Sequence, residues 1–346
     1  MTRLFHVDSA RTALGWTYQL VVTVPDEPVD TPPYNEIVTP FTMCAQALDY
    51  NIMPAAQARG RRQSWSWPEF QCVEHNSCGG AQQSPVNIET LSVVQDIGMK
   101  PLQFYAHDVP LRNFTVHNDG LSLTLRPSPA DKTKRTVRGG HLQGTFEFRH
   151  ALFHWGSTSS QGSEHRLDGT AYPMEAQLVY TNEKYANVDE PDQTDRIAII
   201  STLYQLTFVN FDSVRAMRGV LDALESEAPS RRRRRSLRRL LPWMVRRLTG
   251  SGSSAAKGAS FPLTLNSLMP PADLQEFYTY RGSLTTPPCT ESVRWTVFRK
   301  NAFISEALLH RLRRLRGHTK SSFLSDNFRP PQRLHGRKII SSFRPF

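Results

Sequence analysis

The chain has 346 residues, 39% of them hydrophobic, and a formal net charge of +11. That length suits one large domain with additions or two domains, and no apolar run approaches the ~20 residues of a membrane helix, so no transmembrane segment is expected. The charge is local: nine arginines lie between Arg231 and Arg247 with no acidic residue among them, so no nucleic-acid partner is expected from a run that brings no nucleic-acid-binding fold with it.

Residues 1–63 are rich in Pro and Thr and poor in periodicity, and read as a disordered or loosely held extension. Ala13–Val24 is a weak apolar patch without a clear small-residue cleavage site, so no signal peptide is evident. SWSWPEF and CGGAQQSPVNIET follow. Leu111–Pro127 (LRNFTVHNDGLSLTLRP) reads as a strand, an Asn-Asp-Gly turn and an alternating strand. It carries the sequon Asn113-Phe114-Thr115, a triplet compatible with glycosylation that also arises often by chance.

Gly144–Tyr180 organises the rest: an alternating run, a Gly/Ser turn with Ser163-Glu164-His165, and a second alternating run. His150, Leu152 and His154 are two apart and point the same way, as do Glu175, Gln177 and Val179. Arg196–Phe208 (RIAIISTLYQLTF) is a mostly apolar strand suited to the middle of a sheet, and VRAMRGVLDALES has helical spacing.

A basic segment at about 229–260 comes next, with an apolar stripe of Leu237, Leu240, Leu241, Trp243, Val245 and Leu248 and a Gly/Ser/Ala linker. It reads as a flexible surface loop or a retained intron, as an amphipathic segment for heparan-type polyanions, acidic membranes or an acidic partner, or as a processing site at Arg231–Arg235. FPLTLNSLMPPADLQEFYTYRGSLTTPPCTESVRWTVF follows, then a helix in ISEALLHRLRRLRG, then SDNFRPPQRLHGRKI and a short tail at 343–346.

These motifs resemble the α-carbonic anhydrases over residues 64–342, interrupted by the basic segment. HALFHWG, GSEH, EAQLV, QSPVNI, SLTTPP and N-x-R-P-x-Q-x-L stand in the family's order. The resemblance implies a mainly β fold, one large, mostly antiparallel twisted sheet with peripheral helices, and a terminal strand in the last motif. It also implies a zinc site, whose three histidine positions fall on Leu152, His154 and Gln177. Leucine has no lone pair to give, and a glutamine amide oxygen is a poor zinc donor.

His150 would reach the ion of His154 only through a bulge, since four extended residues span ~13 Å. The proton-shuttle position falls on Leu121, which carries no proton. Thr285 and Glu164 persist as the pair that flanks zinc hydroxide in active relatives, and are read here as a buried carboxylate with its donor. His165 and Tyr280 read as core polar groups, and His154 and Gln177 are expected to bond each other or trapped water.

Cys78 and Cys289 fall where secreted relatives carry a disulfide, which implies an oxidising compartment. Cys44 and Cys72 pair or stay free. The expectation is a catalytically silent, secreted or cell-surface binding module without cofactor, most like the related-protein branch numbered X and XI, whose partners are neurexin-type receptors. The alternative is a zinc-dependent hydratase of carbon dioxide with an unconventional metal site.

Overall fold

The computed structural model describes residues 10–12, 15–17, 77–185, 195–227, 262–270, 276–317 and 322–344. The basic segment with Arg231–Arg247, Cys44, Cys72 and most of the 1–63 extension lie outside the described residues. Met1–Thr39 forms one unit and Pro40–Phe346 another. In the first, β1 (Ala10–Thr12) pairs antiparallel with β2 (Gly15–Thr17).

The second unit contains β3 (Asn87–Ile88), β4 (Val94–Gln95), β5 (Gln103–Tyr105), β6 (Phe114–Asn118), β7 (Leu123–Pro127) and β8 (Thr136–Arg138). β9 (Phe146–Trp155), β10 (Arg166–Leu167), β11 (Met174–Asn182) and β12 (Ile197–Leu206) follow, then helix α1 (Asp212–Glu227). β13 (Phe277–Gly282), β14 (Val293–Phe298), β15 (Ala302–Ile304), helix α2 (Glu306–Leu312) and β16 (Ile340–Ser341) complete it.

One 12-stranded sheet dominates, in the order β4-β16-β13-β14-β12-β11-β9-β7-β6, with β15 beside β12 and β8 joining β5 to β9. Its pairings are mostly antiparallel, as the motifs implied; β12 runs parallel to β14 and β15, and β16 parallel to β4. β11 sits in the middle, and all of its residues are buried because both faces of the sheet are covered. Alternation along β12 sends Ala198, Ile200 and Tyr204 into one apolar cluster and Ile199 and Leu203 into the other. α1 adds Val214, Met217, Val220 and Leu221 to the first cluster, one stripe at helical spacing.

Three local expectations change. β9 does not alternate throughout: Val179 pairs with His150 but Tyr180 with Phe148, leaving Arg149 as an extra residue. This bulge shifts the phase of the strand. Phe146 and Phe148 therefore share the first cluster with Ala151, Phe153 and Trp155, and His150, Leu152 and His154 turn to the other face.

The final helix is shorter than its spacing suggests. After Leu312 the backbone closes through three-residue bonds, Arg314 N–H to the Arg311 carbonyl and Leu315 N–H to the Leu312 carbonyl. The N-x-R-P-x-Q-x-L segment, Asn327–Leu334, is not a strand. Pro330 and Pro331 have no N–H to give a ladder, and the last strand is β16.

Candidate functional site on the face of β9 and β11

The ladder decides which side chains meet. Leu152 lies opposite Gln177, His154 opposite Glu175, and His150 opposite Val179. From His150 to Trp155 the pairing with β11 is unbroken, so His150 and His154 stay ~13 Å apart along the strand. The bulge at Arg149 lies on the wrong side of His150 to close that gap. Burial first, and the Arg126 guanidinium second, lower the pKa of the His150 imidazole, which favours its neutral form.

Glu175 is the centre of the polar face. It is wholly buried, and five donors converge on its carboxylate. Oε2 accepts the backbone N–H groups of Glu164 and His165 at 2.9 and 2.8 Å. Oε1 accepts His165 Nδ1 at 2.9 Å, the Ser201 hydroxyl at 2.7 Å and Gln177 Nε2 at 3.0 Å. Burial pushes this carboxyl up, but the charge and hydrogen bonds of His165 outweigh it and hold the group below the ordinary carboxylate range. His165 continues through Nε2 to the Tyr280 hydroxyl at 2.7 Å, and that hydroxyl meets Ser84 Oγ at 3.0 Å. Desolvation raises the Tyr280 phenol, so it stays protonated.

Glu164 is not paired as the motifs implied. Its Oε2 accepts Gln177 Nε2 at 2.7 Å, and its Oε1 accepts the backbone N–H of Arg329 at 2.9 Å. Thr285 is buried in the loop between β13 and β14, and no hydrogen bond joins it to Glu164 among the described residues. The amide of Gln177 has taken the oxygen that the threonine would have served.

Nor does Gln177 bond His154. His154, 4% exposed, gives Nδ1–H to the Asn327 carbonyl at 2.7 Å. Its Nε2 lies 3.7 Å from Glu164 Oε2, beyond hydrogen-bond range, and has no hydrogen-bond partner among the described residues. Asn327 also takes the Trp155 N–H and gives its amide to the Phe153 carbonyl, fastening the end of β9.

Leu121 sits in the turn between β6 and β7, where Asp119 Oδ1 accepts its N–H and that of Ser122. Gly120 supplies the left-handed backbone, with φ of 89°, that closes this turn. Cys78 and Cys289 form a disulfide spanning 211 residues, a closure of the kind that contributes about 2–5 kcal/mol to a fold. Beside it, buried Arg329 gives its guanidinium to Gln83 Oε1, the Ser84 carbonyl and the Cys78 carbonyl. Arg329 and Asn327 both belong to the last sequence motif, and their conspicuous spacing was the only signal that this segment serves the site.

The sequence model of the eukaryotic-type carbonic anhydrases matches residues 62–343. The chain belongs to the eukaryotic-type carbonic anhydrase family. Among curated relatives it is 31% identical over 274 residues to carbonic anhydrase 15 of Mus musculus, covering 77% of this chain and 76% of that protein. It is 31% identical over 270 residues to carbonic anhydrase 7 of Homo sapiens, covering 77% and 90%. To the carbonic anhydrase-related protein of Homo sapiens it is 30% identical over 277 residues, covering 77% and 84%.

Carbonic anhydrases of this fold imply a zinc ion. The positions that the motif resemblance assigns to that ion, Leu152, His154 and Gln177, offer an alkyl group, one imidazole and one neutral amide, and the amide nitrogen is already committed to two carboxylates. That set does not fit zinc, which takes three N, S or carboxylate donors and a water. What the arrangement does instead is satisfy two buried carboxylates with hydrogen bonds and tie β9, β11 and the Asn327–Arg329 segment together.

Proposed function

We propose that this chain is a catalytically silent carbonic anhydrase, secreted or held at the cell surface, that works as a binding module. The observation that supports this reading best is Gln177, clamped between Glu164 and Glu175 opposite Leu152. Hydration of carbon dioxide near neutral pH needs a water acidified by a metal, and neither residue provides a ligand for one. Leu121 adds a second obstacle, since no proton leaves through an alkyl group.

The Cys78–Cys289 disulfide supports export, because such bonds persist in oxidising compartments. Elemental analysis of the purified chain is expected to find no stoichiometric zinc, and a carbon dioxide hydration assay no turnover above buffer. Tightly held zinc with turnover would sink the reading.

For an exported chain the partner lies outside the cell. A neurexin-type receptor is the partner that family resemblance suggests, and the nine arginines of Arg231–Arg247 suit a heparan-type polyanion. Retention on immobilised heparin is expected, with elution at lower salt once residues 229–260 are deleted. Unchanged elution of the deletion variant would remove the polyanion from the proposal.

A further inference from the structure

We propose that Asn113 is an N-glycan acceptor and that its glycan caps the free edge of the large sheet, on the face that carries the Leu152–Gln177 site. The inference rests on the secreted reading above. Asn113-Phe114-Thr115 has the acceptor pattern, but placement in the fold carries the argument.

β6 ends the sheet, and among the described residues no strand pairs with its outer side. Ser128 N–H donates to the Asn113 carbonyl at 2.9 Å, which makes Asn113 and Ser128 a hydrogen-bonded pair. The antiparallel ladder then alternates through Phe114–Pro127, Thr115–Arg126 and Val116–Leu125. The backbone amides and carbonyls of Phe114 and Val116 therefore face away from β7. Pro127, which has no N–H, occupies a position where none is needed towards β6. Such an outward row is a template for another chain unless something covers it.

The side chains divide just as cleanly. Val116 is buried in the first apolar cluster and Phe114 packs against it, so Asn113, Thr115 and His117 leave from the opposite face. Thr115 and His117 are exposed and Asn113 is half-exposed. That face is the face of the site: His117, Thr124, Leu152, Gln177 and Ser201 form one row across five strands. Asn113 lies four residues from His117, or ~13 Å along β6. A glycan there rises at the edge of the same face, away from the side that α1 covers.

The transfer itself uses a lipid-diphosphate-linked oligosaccharide of the secretory pathway. Asn113 Nδ2 bonds to the anomeric carbon of the first sugar, the bond from that carbon to the diphosphate oxygen breaks, the lipid diphosphate leaves, and one amide proton is released. The product is a bulky, hydrated group beside the unpaired row of β6.

The test expresses the full chain in cultured animal cells, once as it stands and once behind a cleavable secretory leader. Disulfide formation is read from mobility with and without reductant. Enzymatic glycan release in heavy-oxygen water is expected to convert Asn113 of the exported, oxidised chain to labelled aspartate. Glycan release should also raise the chain's mobility, and Asn113→Gln and Thr115→Val should each abolish that change. An exported, oxidised chain whose Asn113 peptide is unmodified would overturn the glycan and leave the secreted reading standing. A chain whose Cys78 and Cys289 stay reduced even behind the leader would overturn the secreted reading, while its Asn113 peptide still decides the acceptor site. If a variant is not exported, the unsubstituted chain's peptide spectrum decides alone.

Discussion

Replacing Glu175 with alanine is expected to cost about 3–5 kcal/mol of folding stability, the range for removing one partner from a buried charged network. Five donors point at two oxygens, three from side chains and two from the backbone of the Glu164–His165 turn. Deleting the acceptor leaves them unsatisfied beside Trp295 and Tyr280, both of them buried. Glu175→Gln should cost less, about 1–3 kcal/mol. Its amide oxygen can keep the two backbone donors and the Ser201 hydroxyl can turn to accept, but Gln177 Nε2 then meets another NH2 group.

The same carboxylate gives the stability a pH signature. Its folded pKa is depressed below the ordinary value of 4.5 to about 2. Its contribution is therefore complete above about pH 4.5 and is lost as the pH falls towards about 2. Urea unfolding of the unsubstituted chain and of Glu175→Ala across that window should show their stabilities converging as the pH drops. A difference that stays constant with pH, or a cost under 1 kcal/mol for alanine, which is the scale of a single ordinary hydrogen bond, would remove Glu175 from the centre of the fold.

Local pattern carried much of the fold and less of the site. The Asn118-Asp119-Gly120 turn, the apolar run of β12 and the stripe of α1 announce themselves because each depends on neighbours in sequence. The bulge at Arg149 does not, because it answers to the packing of Phe146 and Phe148 against elements far along the chain. The same holds for Gln177. Its identity says that an imidazole is missing, but its role as a clamp depends on Glu164, thirteen residues away, and on Glu175 beside it on the same face. Asn327 and Arg329 reach their partners across 173 and 165 residues, and a segment with Pro330 and Pro331 that resembled a strand turned out to be an irregular strap. Thr285 stayed in the motif while its expected partner moved to other donors.

Restoring both donors gives the strongest chemical test of how much of the zinc framework survives. Leu152→His with Gln177→His is expected to bind one zinc ion per chain, tighter than the unsubstituted chain by more than the roughly 10–100-fold that an outer-shell partner alone is worth. The backbone already provides the geometry: positions 152 and 154 are two apart on one strand, and 177 lies directly opposite 152 on the next. His154 is already oriented by the Asn327 carbonyl, with Nε2 buried and without a hydrogen-bond partner among the described residues. Glu175 stands beside position 177, where it would accept the second ring N–H of a histidine there, as it now accepts the amide. Releasing the Gln177 amide also frees Glu164 Oε2.

Either substitution alone leaves two imidazoles and no third donor, so each single variant should hold zinc weakly. Calorimetric titration of zinc into the metal-stripped proteins separates the cases. Tight one-to-one binding in the double variant alone would mean that these two side chains, and not a distorted backbone, set the present chain apart from zinc. No gain in the double variant, provided it unfolds cooperatively, would mean that the β9–β11 ladder has shifted away from the geometry a metal requires.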